Sequence, residues 1–267
     1  MDMDFKPSSF LAEVRAKTPL VHHITNYVTV NDCANICICA GGSPVMTDAI
    51  EDVDDMVSIA GALVINIGTL NRRTVESMHS SGMTASRAGI PVVLDPVGAG
   101  ATPFRTSTAE SLLEEVRPQV LKGNAGEMGV LSGLGGDVKG VDSKGASGDL
   151  SEIVSSLARR HGCVAAATGE VDYVSDGIIT LALMNGDRLL EAVSGTGCML
   201  SSVIGCYVAA CGPTVWSVAA AITAFNVAAE YAAKASKGPG TFKPALLDAM
   251  YDLDGDNLDE RARWKQI

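Results

Sequence analysis

The chain has 267 residues, enough for one large domain with a sizeable core, and 47% of them are hydrophobic while only 4% are aromatic. Its formal net charge of −11 is spread along the sequence rather than gathered in a tail, which disfavours nucleic acid and anionic membrane as partners. Seven cysteines without secreted or zinc-ribbon spacing, no apolar run of membrane-spanning length, and a start at Met1-Asp2-Met3-Asp4 predict a reduced, cytoplasmic, soluble protein.

Residues 8 to 16 predict a short amphipathic helix capped by Ser8 or Ser9, ended by Pro19 before an extended Leu20 to Ile24. An apolar helix follows near 29 to 40. Gly41-Gly42-Ser43-Pro44 breaks it, and Val45-Met46 resumes as a short strand ahead of an acidic helix around 51 to 60. Ala62 to Ile67 and Pro91 to Asp95 are continuous apolar runs of strand length with a helical stretch between them, and the unit repeats at 119 to 122 and 163 to 168. Runs without alternation are buried on both faces, so they predict a mostly parallel α/β sheet flanked by helices on both faces. From Asp172 to Val193 two strand-like runs are punctuated by Asp176-Gly177 and Asn185-Gly186, predicting an antiparallel hairpin at one edge. Long apolar helices occupy Gly197 to about Lys234, broken at Gly212-Pro213, and Gly238-Pro239-Gly240 predicts a further loop. Nothing divides the chain, which reads as a single domain over 1–267.

Ligands of parallel sheets bind beyond the carboxyl ends of the strands, so the polar residues there come first. Asp95 opens the stretch to Arg105, Lys122-Gly123-Asn124-Ala125-Gly126-Glu127 follows another apolar run, and Thr168-Gly169-Glu170 closes the next strand. Each of these is equally a good cap or turn residue. At Val193-Ser194-Gly195-Thr196-Gly197-Cys198 a strand is expected to end in a glycine turn ahead of a strongly apolar helix. Backbone N–H groups at such a start converge on an anion. No Walker A motif is present; the nearest approach, Gly140 to Ser147, has Ala146 where lysine is required.

With His23-Ile24-Thr25-Asn26, Gly42-Ser43-Pro44-Val45-Met46, Asn66-Ile67-Gly68-Thr69-Leu70, Gly140-Val141-Asp142 and Gly238-Pro239-Gly240-Thr241-Phe242, these segments form an ordered set from Pro19 to Phe242 that resembles the hydroxyethylthiazole kinases of the ribokinase-like superfamily. The resemblance implies a ribokinase-like fold without a lid domain and transfer of phosphate from ATP, with Mg²⁺, to a thiazole alcohol of thiamine salvage. It implies Met46, Asn26, Gly68 and Gly195 as substrate contacts, Lys122 and Thr168 as ATP contacts, and Asp95 and Glu127 as metal-holding carboxylates. Gly195, Thr196 and Gly197 would form the anion hole. Cys198 stands where the wider superfamily has a catalytic aspartate and resembles the thiazole kinases in this. The resemblance also implies a homotrimer with sites between subunits, Asn26 and Met46 on one chain facing Gly195 and Cys198 of the next.

Other acceptors remain open. A hydroxymethylpyrimidine kinase would differ only around Met46 and Asn26; a nucleotide-dependent dehydratase would be expected to carry aspartate at 198; a silent binding module would not consume ATP. His22 and His23 point to opposite sides of an extended chain, which argues against a metal pair. Cys33, Cys37, Cys39, Cys163, Cys206 and Cys211 read as core residues, and Asp252 to Asp256 as a solvated acidic turn.

Overall fold

The computed structural model describes residues 5–133 and 147–267. Gly140-Val141-Asp142 and most of the near-Walker segment lie outside the described residues. The order is α1 (Pro7–Lys17), β1 (Leu20–Ile24), α2 (Val30–Ala40), β2 (Ser43–Met46), α3 (Val53–Ile59), β3 (Ala62–Asn66), α4 (Arg72–Ala88), β4 (Val92–Asp95), α5 (Pro103–Glu115), β5 (Val120–Asn124) and α6 (Ala125–Leu131). It continues with α7 (Ser147–His161), β6 (Val164–Thr168), β7 (Asp172–Ser175), β8 (Thr180–Leu183), a 3₁₀ turn (Arg188–Leu190), α8 (Thr196–Cys211), α9 (Val215–Ala235), α10 (Pro239–Tyr251), α11 (Gly255–Arg261) and β9 (Trp264–Gln266).

All nine described strands form one sheet in the order β2-β1-β3-β4-β5-β6-β7-β8-β9. The first six run parallel and the last three antiparallel. The uniform apolar runs are explained by burial on both faces. Leu63 and Ile65 pack with α3, α4 and α5 on one side, while Val64 packs with α1, α2, α8 and α9 on the other. α9 has the length and apolarity of a membrane span, but its sides are taken up by α1, α8, α10 and the sheet.

Several local expectations are corrected. α1 begins at Pro7 with Lys6 at the cap position and no side-chain cap. Ser8 and Ser9 lie inside the helix, and Ser8 instead donates from N and Oγ to Asp259 at 2.9 and 2.6 Å. Asp176-Gly177 does turn β7 into β8, but Asn185-Gly186 makes no hairpin. β8 takes its next partner, β9, from the far end of the chain. The segment before Gly195 is turns and 3₁₀ rather than strand. Gly238-Pro239-Gly240 starts α10, with proline in the first turn where no N–H is missed. Asp254 caps α11 through the N–H of Asn257. Cys39 and Cys211 are half-exposed, whereas Cys33, Cys37, Cys163 and Cys206 are buried as expected.

Candidate active site

The sheet register sets polar strand ends side by side. Asn66 at the end of β3 pairs with Asp95 at the end of β4, and Asn124 at the end of β5 pairs with Thr168 at the end of β6. α8 starts close by, with Gly195 as its N-cap at φ +93°. The first bond of that helix runs from Met199 N to Gly195 O, so the N–H groups of Thr196, Gly197 and Cys198 have no partner within it. They stand at the positive end of a 16-residue helix, where the helix dipole favours an anion. Gly195 is required there, because a Cβ would stand 2.4 Å from Thr29 Cγ2.

The turn opens onto a cavity of about 730 Å³ lined by Asn124, Thr168, Gly169, Asn185, Thr196, Gly197 and Phe225 among others, within the range of small-molecule and cofactor sites. Met46 lines a second cavity of about 310 Å³ with Thr25, Tyr27, Thr69 and Asn71. Asn26 and Gly68, the chain neighbours of Tyr27 and Thr69, turn toward Cys198 instead. Asn26 Nδ2 and Asn66 Nδ2 each donate to Cys198 Sγ at 3.3 Å, and Gly68 N donates to Asn66 Oδ1 at 2.9 Å. Gly68 has no room for a side chain, since a Cβ would lie 2.9 Å from Asn66 Oδ1 and 3.0 Å from Asn26.

Asp95 is buried, and its Oδ2 accepts from Asn66 Nδ2 at 2.8 Å and Ser201 Oγ at 2.7 Å, with Lys122 Nζ at 3.5 Å. Its Oδ1 is buried with no partner. Lys122 does not line the large cavity; it is buried under the turn and donates from Nζ to Gly197 O at 3.0 Å. Burial alone would lower its pKa, but the Asp95 and Glu127 carboxylates outweigh this, and the net shift is upward. Glu127 is the return partner of a capping box with Asn124, and its two oxygens accept from Gly98 N and Asn124 N, both at 2.8 Å. Burial first and Asp95 second push its carboxyl up.

Asn26, Gly68, Asp95, Lys122 and Cys198 are thus linked through Asn66 and its partners, while Met46 lines the second cavity and Thr168 the large one. Asn26 stands 3.3 Å from Cys198 in the same chain, so these two are not divided between subunits as expected. Lys122 reaches the glycine turn from below rather than from the large cavity. The histidines have separate partners, His22 Nε2 pairing with Thr47 O and His23 Nδ1 with Val21 O, each at 3.0 Å.

Sequence reasoning missed Asn66, Asp172 and Asn226. Asn66 carried the same signal as Asp95, a polar residue closing an apolar strand. Asp172 and Asn226 join across the wall of the large cavity, where Asn226 Nδ2 donates to Asp172 Oδ2 at 2.6 Å and Gly169 N donates to Asp172 Oδ1 at 3.0 Å. Burial pushes the Asp172 carboxyl up to about 6.

A sequence model of the hydroxyethylthiazole kinase family matches residues 11–256. The hydroxyethylthiazole kinase of Methanocella arvoryzae is 53% identical over 251 residues, 94% of each chain. That of Methanoculleus marisnigri is 52% identical, covering 96% of this chain and 92% of the relative. The solved hydroxyethylthiazole kinase protein of Pyrococcus horikoshii superposes with a TM-score of 0.91 at 39% identity, over 99% of this chain and 100% of that one. A pyridoxal kinase of Staphylococcus aureus, at 15% identity and a TM-score of 0.66 over 93% and 98% of the two chains, shares the fold alone. By sequence over nearly its whole length, and by the fold that places these residues together, the chain belongs to the hydroxyethylthiazole kinase family.

Proposed function

We propose that this chain transfers the terminal phosphoryl group of ATP to the hydroxyl of 4-methyl-5-(2-hydroxyethyl)thiazole, giving 4-methyl-5-(2-phosphoethyl)thiazole and ADP in thiamine salvage. The observation that carries the reading is the place of Cys198, in the first turn of α8 beside the anion cradle and in contact with Asn26 of the acceptor side. ATP occupies the large cavity with Thr168 on its wall, and the transferring phosphoryl group meets the N–H groups of the Gly195-Thr196-Gly197 turn. The thiazole ring lies against Met46, with its hydroxyethyl arm passing Gly68 and Asn26 toward Cys198.

In the transfer, the hydroxyl oxygen forms a bond to the terminal phosphorus while the bond to the bridging oxygen of ADP breaks. The hydroxyl proton passes to Cys198 Sγ or, with the sulfur acting only by hydrogen bonding, leaves late on the phosphate. A loose transition state asks mainly for positioning and charge neutralisation, so a strong base is not required. Lys122 braces the turn through Gly197 O and balances Asp95.

The donor set fits Mg²⁺, because Asp95 Oδ1 is buried without a partner. Asp95, with Glu127 behind it, would hold the ion mainly through water, and bound there it would neutralise phosphate charge. Glu127, both oxygens of which already serve backbone N–H groups, contributes chiefly its field.

The protein acts as a single cytoplasmic kinase domain assembled as a homotrimer. Exposed Tyr27 and Val28 next to Asn26 supply apolar surface for a subunit contact. A chain that stays monomeric at working concentration would refute the assembly. The deciding experiment offers ATP, with and without Mg²⁺, to the thiazole alcohol and to 4-amino-5-hydroxymethyl-2-methylpyrimidine, with products identified by mass. Mg²⁺-dependent thiazole phosphorylation is expected. Transfer to the pyrimidine alone overturns the pocket assignment, and no transfer to either overturns the kinase reading.

A further inference from the structure

Asn66 has no part in the transfer described above, yet it touches more of the machinery than any other side chain there. An asparagine amide offers two acceptor positions and two N–H donors, and all four are used. Oδ1 accepts from Gly68 N and Asn26 Nδ2, each at 2.9 Å, while Nδ2 donates to Asp95 Oδ2 at 2.8 Å and Cys198 Sγ at 3.3 Å. The orientation of the amide is fixed by the backbone. Gly68 N–H can only donate, so Oδ1 must face it and the N–H groups must face Asp95 and Cys198. The same logic holds at Asn26, whose Oδ1 accepts from Thr29 N at 3.1 Å and whose Nδ2 is thereby turned to Asn66 and Cys198. Two main-chain amides therefore dictate that Cys198 Sγ faces two donors.

We propose that Asn66 is a positioning residue that holds Cys198 as a hydrogen-bond acceptor and ties it to Asp95, so that the acceptor and phosphate sides share one rigid joint. For catalysis this rests on the reading of Cys198 given above. A purely structural asparagine would act differently, since its loss would loosen the fold around every thiol alike.

The test is site-resolved alkylation of the full chain by iodoacetamide at one pH, read by mass spectrometry, in the wild type, Asn66→Leu and Asn66→Asp. Asn66→Asp is nearly isosteric and keeps the acceptor for Gly68 N, so it stands in if the leucine variant does not fold. Cys198 alone is expected to change its rate, by about fivefold, the scale of one lost hydrogen bond, while half-exposed Cys39 and Cys211 keep their rates. An unchanged Cys198 rate, or a common acceleration of all three, overturns the proposal. In turnover, Asn66→Asp should lower kcat with KM for the thiazole within about twofold, and the loss should shrink at least fivefold in a Cys198→Ala background. An equal loss in both backgrounds also overturns it. If the wild type fails to phosphorylate the thiazole, the functional reading falls while alkylation still decides the role of Asn66.

Discussion

Replacing Gly195 by alanine tests how the glycine turn before α8 is coupled through Thr29 to Asn26 and Cys198. At φ +93° an alanine takes a left-handed conformation that costs about 1–2 kcal/mol. Its Cβ would also lie 2.4 Å from Thr29 Cγ2 and 3.2 Å from Thr29 Cβ, so Thr29 has to move. It cannot do so freely, because it is buried and both its N and its Oγ1 donate to Asn26 Oδ1, at 3.1 and 3.0 Å. Overpacking of this kind costs about 1–3 kcal/mol, giving about 2–5 kcal/mol in all. The displacement passes through Asn26 to Cys198, so kcat should fall along with stability. Thr29→Ser removes the colliding methyl and keeps the hydroxyl. In the double variant the overpacking share should return and the backbone share should not. Urea unfolding at fixed protein concentration and steady-state kinetics measure both. The reasoning fails if Gly195→Ala stays within about 0.5 kcal/mol of wild type, or if Thr29→Ser restores nothing.

Cys198→Asp is expected to retain or raise turnover, because a carboxylate can accept the same N–H groups of Asn26 and Asn66, whereas Cys198→Ala should lower it modestly. A loss beyond ~10⁴-fold in the alanine variant would instead make the sulfur an obligate base. Asp172 gives a pH signature. Its folded pKa of about 6 lies above the unfolded value near 3.8, so the folded state holds the proton more tightly. This contribution is full below about pH 4 and is lost as pH rises through about 6. The stability of the wild type relative to Asp172→Asn should therefore fall by up to roughly 3 kcal/mol across that window and level off above it. A difference that stays constant from pH 4 to 7 would contradict the buried-carboxyl account.

The comparison of sequence with structure turns on a few elements. The buried parallel strands were legible because apolar runs such as Ala62 to Ile67 admit no solvent face, and Asp176-Gly177 was legible because its turn chemistry is local. Asn185-Gly186 carried the same local signal and misled. Asn185 Nδ2 donates to Glu230 Oε1 and Arg261 O, and Gly186 N donates to Glu230 Oε1, so α9 and the chain's far end claim the turn. The serines at the start of α1 misled likewise, because Asp259 offered Ser8 a partner that no local pattern announces.

By itself the sequence determined the layered α/β sheet, the polar residues at its strand ends, and the glycine turn that opens α8. These follow from hydrophobic period, strand length and backbone freedom, all properties of neighbouring residues. Only the tertiary structure decided that Asn66 stands between Asp95 and Cys198, that Lys122 points under the turn, and that Asn26 meets Cys198 within one chain. The physical reason is register. Which strand end meets which depends on how separate segments pair and pack, and the buried donors and acceptors brought together must then satisfy one another.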